Sequence, residues 1–356
     1  KIPAIIPKII KYKKVCNVFS HPKADKAKLI QIEQAKNLSR EILAKHLNVI
    51  IDNSGFIREG SSHYQFLITR WLLEIRLLAE ETKDTETIEI IKDYLPSMVN
   101  ACDFFLVQGV DGNNEMVLIG DLSPDCEPAW LLDLTKSSLA QFDGSSNKAS
   151  VSGWAKLFDN WEHDDSINWK LCSLEATKWR ENKSAGWYRL DYDGWTAIWH
   201  VESPSGKPIA SHAHHDCGTV VLFRNGKEVL IDIGRYEYEC NPLSDYGVGA
   251  SAHSTITIDG FPMILSRRNN RFPKAYRYAD IKVSIGKESE YYKFTIEHNG
   301  FNRLPGNVGR HSRDFVFSKN ALRISDSIKG SGSALLETYF QWPNIKNNAI
   351  SPGLYK

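Results

Sequence analysis

Ser211-His-Ala-His-His-Asp-Cys-Gly-Thr-Val-Val-Leu-Phe-Arg-Asn-Gly-Lys-Glu-Val-Leu-Ile-Asp-Ile-Gly234 is the stretch that decides the fold. Its second part reads as a hairpin. Thr219–Phe223 and Glu228–Asp232 are short runs rich in β-branched and large apolar residues. Between them sits Asn225-Gly226, a pair that accepts the positive φ angles a tight turn needs. Its first part gathers three histidines and a carboxylate between His212 and Asp216. In an extended segment His212 and His214 point to one side and His215 to the other. Imidazoles converging on one face suit a transition metal, and zinc is the usual partner of histidine plus carboxylate. The hairpin returns Asp232 beside the histidine run as a further ligand candidate. His253, in Ala252-His-Ser-Thr, is another.

Working outward, short β runs dominate from Gly186 onward. Gly186–Leu190, Trp195–Val201 and Ser254–Asp259 flank the hairpin, and runs beginning at Lys282, Tyr292, Phe315 and Leu322 follow. Regular short strands with turns between them predict an antiparallel β-sandwich. Upstream the period changes to that of helices. Helices are predicted over 24–47, over Ser62–Glu81 with Phe66, Leu67, Trp71, Leu72, Ile75 and Leu78 inward, and from Thr85 to about Val107 with a kink at Pro96. Two shorter ones are predicted over Leu131–Leu139 and Ser150–Phe158, and Gln141–Lys148 reads as a linker. The expected organisation is α+β and multidomain: a helical unit of stacked helix pairs over residues 1–150, then a β-sandwich over 151–356.

The totals exclude little but are consistent. The chain has 356 residues, 42% hydrophobic and 24% charged, with a formal net charge of +1. That balance gives no general attraction to nucleic acid or membrane. An acidic ligand would need a local basic patch, and Arg267, Arg268, Arg271, Lys274 and Arg277 form one, with Arg235 beside the Asp232 turn. No apolar run reaches the roughly 18 residues of a membrane span. The first residues lack a signal-peptide layout. The six cysteines contain no CxxC pair, so they are read as buried thiols rather than a zinc cluster. Ten Trp, 14 Tyr and 15 Phe supply flat apolar faces of the kind that pack on sugar rings.

Several motifs in order resemble one family. His212-Ala-His-His-Asp216, Leu230-Ile-Asp-Ile-Gly234, Tyr236 and Ser251-Ala-His-Ser-Thr-Ile-Thr-Ile-Asp-Gly260 are similar to the C-terminal domain of heparinase II/III-type polysaccharide lyases. Ser254 stands where that family usually has Asn. Gly55-Phe-Ile-Arg-Glu-Gly-Ser-Ser-His-Tyr64 resembles the motif of the family's (α/α) toroid, and His298-Asn-Gly-Phe, Arg303 and His311-Ser-Arg313 resemble its later strands.

The resemblance implies β-elimination on a uronate-containing, acidic polysaccharide or oligosaccharide. It implies Tyr64 as the acid, or as acid and base together, and His212 as the base. His214, Asp232 and His253 become the ligands of a structural zinc, with Asp216 supporting them. Tyr246 is a further catalytic candidate. Glu59, His63, Arg235, Arg267 and Arg268 are the substrate-binding candidates. A periplasmic or secreted location goes with such a substrate. The expected toroid is incomplete, since the helical region is short. The family's carboxylate-neutralising Asn or His has no clear counterpart upstream of Tyr64, where Asn17 and His21 are the residues on offer. The alternative is therefore a catalytically degenerate, zinc-stabilised protein of glycan binding or assembly. A zinc hydrolase fits less well, because no HExxH is present.

Overall fold

Every residue of the strand Trp195–His200 is buried, although its sequence alternates in the ordinary way. The cause is that both of its faces are covered. Ile198 joins a core formed with the helices. Ala197 and Trp199 join a second core formed with another sheet. The same period-two division runs through the preceding strand, where Trp187 faces the helices and Tyr188 and Leu190 face the sheet. One sheet is thus the middle layer of the molecule.

The computed structural model describes residues 26–122, 131–132, 177–201, 212, 214–235, 241–263, 280–288, 290–305, 308–331 and 333–343. The helical part comprises α1 (Lys26–Ile50), α2 (Ser62–Glu81), α3 (Thr85–Ile91) and α4 (Leu95–Cys102). A small hairpin, β1 (Leu106–Gln108) with β2 (Asn114–Met116), follows. The middle sheet is antiparallel, in the order β3 (Lys178–Asn182), β4 (Trp187–Tyr192), β5 (Trp195–His200), β6 (Val220–Arg224), β7 (Lys227–Leu230). A short helix, α5 (Pro242–Val248), leads to β8 (Ile256–Ile258). The outer sheet contains β9 (Ile281–Lys287), β10 (Tyr291–His298), β11 (Arg310–Ser318) and β12 (Leu322–Lys329), and β13 (Leu336–Thr338) pairs with β8.

Helix α2 sits as its pattern requires. Phe66, Leu67, Trp71, Leu72, Ile75 and Leu78 are all buried. Its start is fixed by Ser61, whose side chain accepts from the Tyr64 amide at 3.1 Å, an N-cap of the usual kind. The hairpin β6–β7 turns at Asn225-Gly226 with positive φ at both residues, as its sequence predicts.

Three expectations change. The helix expected from Thr85 to Val107 is two helices, because Pro96 begins a new helix in its first turn instead of kinking an old one. It also ends early: after Cys102 come a 3₁₀ turn and the β1–β2 hairpin. The buried Arg189 of β4 fixes that change of direction by donating to the carbonyls of Phe104 and Leu106 at 2.8 and 2.7 Å. In α1, whose sequence spaces Ala27, Ile30, Ala35 and Leu38 at helical intervals with Leu29 and Ile32 beside them, Ile32, Leu43 and Leu47 are buried but Ile30 and Leu38 are exposed. Most of Leu131–Leu139, all of Ser150–Phe158 and the Gln141–Lys148 linker lie outside the described residues.

Candidate active site and metal centre

Ser61 places Tyr64 on the first turn of α2, and its hydroxyl also donates to the Asp121 carbonyl at 2.7 Å. The backbone of His212 is bonded on both sides, donating to the Glu59 carbonyl at 3.1 Å and accepting from the Asp121 amide at 3.0 Å. Leu122 then donates to Arg235 at 3.1 Å. Residues 119–122 therefore thread between the start of α2, the histidine run and the turn after Asp232. Gly120 makes that passage possible. It has φ of +82°, and a Cβ there would stand 2.4 Å from the Gly60 carbonyl.

These contacts bring two distant side chains face to face. The rings of Tyr64 and His212 stack with centroids 3.9 Å apart and planes 13° apart. Both imidazole nitrogens face carboxylates: Nε2 lies 3.0 Å from Glu59 and Nδ1 lies 2.9 Å from Asp121. Burial works against the cation, but hydrogen bonds to Asp121 and Glu59 outweigh it and raise the His212 pKa to about 9. In this state the ring carries two protons. To act as the base that the resemblance implies, this ring would first have to give up one of them.

Asp121 is the hub of the site. One oxygen takes the His214 Nε2 at 2.6 Å, and the other takes His212 and the Arg235 guanidinium at 2.9 and 2.8 Å. Burial would raise this carboxyl, but hydrogen bonds from His212 and His214 pull it down to about 2. It is thus a firm anion at neutral pH.

His214, Asp232 and His253 converge as predicted. One ligand atom from each lies within 4.8 Å of the others, and all three side chains are buried. His253 Nδ1 is 3.1 Å from Asp232 Oδ2, while Asp232 Oδ1 accepts from the Gly234 amide at 2.7 Å. Burial opposes both charges, but their mutual attraction lowers Asp232 and raises His253. His214 is the informative residue. Its Nε2 is committed to Asp121, whereas its Nδ1 is buried without a hydrogen-bond partner. A neutral imidazole donating from Nε2 leaves a lone pair on Nδ1. Burying that lone pair unsatisfied costs about 1–3 kcal/mol. A cation would take it, and Asp121 would be the outer carboxylate that metal-binding histidines usually have. The donor set fits a divalent metal.

Residues 177–352 match the family described as heparinase II/III-like, C-terminal. This part of the chain is a heparinase II/III-like C-terminal domain. Three solved structures share its fold. A heparinase III crystal structure has TM-score 0.54 at 16% identity, over 85% of this chain and 44% of that one. A second heparinase III has TM-score 0.55 at 17% identity, over 88% and 44%. The heparan sulfate lyase HepC from Pedobacter heparinus has TM-score 0.51 at 16% identity, over 86% and 43%. This chain thus spans less than half the length of the structures it matches. No curated protein matches it.

Inside and outside this heparinase II/III-like domain the remaining candidates fall in different places. Glu59 and His63 are buried. Glu59 touches His212, and His63 meets the edge of the Tyr64 ring at 6.1 Å. Both are thus buried beside members of the stacked pair. Arg235 is held on Asp121. Tyr246 is 45% exposed on α5, and a Cβ added at Gly247 of that helix would stand 3.1 Å from the Gly234 carbonyl, so the helix lies beside the Asp232 turn. Asp216 is buried and close enough to favour the His253 cation. Arg267 and Arg268, with the rest of the basic patch, and Tyr236 lie outside the described residues. Among those residues no helix is long and apolar enough to cross a membrane.

Sequence reading missed Asp121. Its stretch, Asp121-Leu-Ser-Pro, shows neither helical nor strand periodicity. The signal available was Gly120-Asp121, a glycine beside a carboxylate where the helical pattern stops.

Proposed function

We propose that this chain cleaves an acidic, uronate-containing polysaccharide by β-elimination, with Tyr64 and His212 as the proton-transfer pair. The observation that carries this reading is the stack of Tyr64 on His212, two residues far apart in sequence. The family match and the fold shared with heparinases support it. In the reaction the C5–H bond and the C4–O4 bond break, a C4=C5 double bond forms, and O4 leaves protonated. One group must take the C5 proton and another must give a proton to O4.

His212 is assigned the donor role because both of its nitrogens face carboxylates. The proton shared with Glu59 is the transferable one, since Nδ1 is fixed on Asp121. Tyr64 takes the C5 proton, helped by the imidazolium against its ring, which favours a developing phenolate. Arg235, Arg267 and Arg268 are assigned to the acidic groups of the sugar, and Tyr246 to the rim of the groove. Zinc on His214, Asp232 and His253 would supply a fixed cation that cross-links the loops carrying them. The helical part is assigned to an incomplete (α/α) toroid ending near residue 150, and the two large sheets to a β-sandwich. A periplasmic or secreted location accompanies a polymeric substrate.

A second reading, glycan binding without turnover, is favoured by one observation: neither His212 nitrogen is free of a carboxylate. The two readings separate in one assay. The zinc-loaded chain is incubated with alginate, heparan sulfate and other acidic glycans, and ultraviolet absorbance of the unsaturated product is followed. The lyase reading expects a rise on at least one polymer. Binding that survives Tyr64→Phe and His212→Ala, with no rise on any polymer, selects the second reading.

A further inference from the structure

A second buried histidine–carboxylate cluster lies in the outer sheet. His311 on β11 is 2.8 Å from His298 on β10 through Nδ1 and 2.8 Å from Asp326 on β12 through Nε2. Asp326 also takes a two-pronged pair from Arg313, with Nε at 2.7 Å and Nη2 at 2.9 Å. Arg313 is buried. Its remaining nitrogen, Nη1, leaves the sheet and donates to two backbone carbonyls, Ser254 at 2.7 Å and Gly218 at 3.2 Å.

Those carbonyls belong to the two loops that carry metal-site histidines. Ser254 follows His253. Gly218 closes the run that begins at His212. The loops are also stitched directly, since Thr255 donates to the Cys217 carbonyl at 2.5 Å. A third stitch reaches the strand end that carries Asp232. Gln341 accepts from Ile231 at 3.0 Å and its own amide donates to the Ser254 hydroxyl at 3.0 Å. The guanidinium is planar, and a two-pronged carboxylate fixes its orientation. A lysine offers one rotating ammonium and cannot hold Asp326 and two carbonyls in that geometry.

We propose that Arg313, oriented by Asp326, is a positioning residue that sets the spacing of the His214 and His253 loops and so pre-forms the metal site. The proposal rests on the reading of His214, Asp232 and His253 as a metal centre, and it adds a partner that touches none of the three ligands.

The test uses the full chain with zinc as the probe. Zinc affinity is measured by competition with a chromophoric chelator for wild type, Arg313→Lys and Asp326→Asn. Asp326→Asn keeps the side-chain shape and serves where Arg313→Lys fails to fold. Arg189→Lys is the control, a buried arginine that also holds a carboxylate and two carbonyls, but away from the ligand loops. Each outer-sheet variant is expected to raise the zinc dissociation constant about 10–100-fold, and the control to leave it unchanged. Melting with and without zinc is the second readout. A merely structural role lowers both melting temperatures together, whereas loss of positioning shrinks the gap between them. Wild-type affinity and an unchanged gap in Arg313→Lys or Asp326→Asn overturn the proposal. A wild-type chain that binds no zinc overturns the metal reading itself and takes this proposal with it.

Discussion

Among the described residues, two buried clusters are built from the same parts. In one, Asp121 gathers His212, His214 and Arg235. In the other, Asp326 gathers His311 and Arg313, with His298 behind them. They differ in what is left open. The Asp326 cluster is closed: no side-chain nitrogen or oxygen of its four residues is buried without a partner. The Asp121 cluster leaves the His214 Nδ1 unmatched, and His212 keeps a partly open edge and stacks on a tyrosine from the helical half. The lesson is that histidine, carboxylate and arginine together do not mark a reactive site. An unsatisfied buried atom and a junction between two layers of the fold set the cluster proposed to react apart from the one proposed to support it.

That contrast can be broken most sharply by removing one imidazole from each cluster. His212→Ala is expected to lower turnover about 10²–10⁴-fold, the usual size of a lost acid–base group, while the protein stays folded. His311→Ala is expected to lower the melting temperature and leave turnover per folded molecule near wild type. Steady-state rates on the polymer found active, corrected for folded fraction by circular dichroism, decide between them. Similar losses of turnover from both would erase the distinction.

A smaller effect tests the closed cluster alone. Asp326→Ala strands the Arg313 charge in the interior, and the expected cost is about 3–5 kcal/mol, read as a shift in urea midpoint. A change of a few tenths would mean that the arginine finds water or another partner.

Acid titration of stability sharpens the same comparison. Burial, with the nearby His311 and Arg313 charges, holds His298 well below its ordinary value of 6.5. Burial would raise Asp326, but bonds from His311 and Arg313 hold it far below 3.8. Both folded values are depressed, so both contributions are present at neutral pH and are lost as pH falls. The His298 part starts to fall near pH 6.5 and the Asp326 part near 3.8. His298→Gln is therefore expected to flatten the first decline and leave the second, in urea midpoints taken from pH 7 to 3.

The smallest expected effect is at Tyr246. Its ring is exposed, so Tyr246→Phe should change stability by no more than about 0.5 kcal/mol. Its turnover should fall less than that of Tyr64→Phe. A loss as large as that of Tyr64→Phe would move Tyr246 from the rim to the centre of the chemistry.

Much of this was legible in the sequence where local pattern and local chemistry agree. Asn225-Gly226 announces its hairpin because few other residue pairs tolerate both positive φ values. Helix α2 reads cleanly because one of its faces is fully buried. Spacing put His212 and His214 on one metal-facing side and the hairpin returned Asp232 beside them, but the set His214, Asp232 and His253 came from the family resemblance, and His212 turns to Glu59 and Asp121 instead. The rest depends on long-range contacts. Phe104, Phe105 and Leu106 look like a continuing helix until Arg189 claims the carbonyls of Phe104 and Leu106 from another layer. Asp121 carries no motif of its own, and its role comes from three partners lying about a hundred residues away in sequence. Nothing in the local sequence distinguishes His212 with two carboxylates from a free imidazole, so its protonation could not be read there.

The most direct test of the account is a double-substitution cycle on Tyr64 and His212. Turnover is measured for Tyr64→Phe, for His212→Ala and for the two combined, on one uronate polymer with zinc-loaded protein. Two residues that pass protons within a single event act as a unit, so the combined variant should lose no more than the worse single variant. Losses that multiply, or a Tyr64→Phe enzyme as fast as wild type, would show that the helical half and the strand half do not share the chemistry.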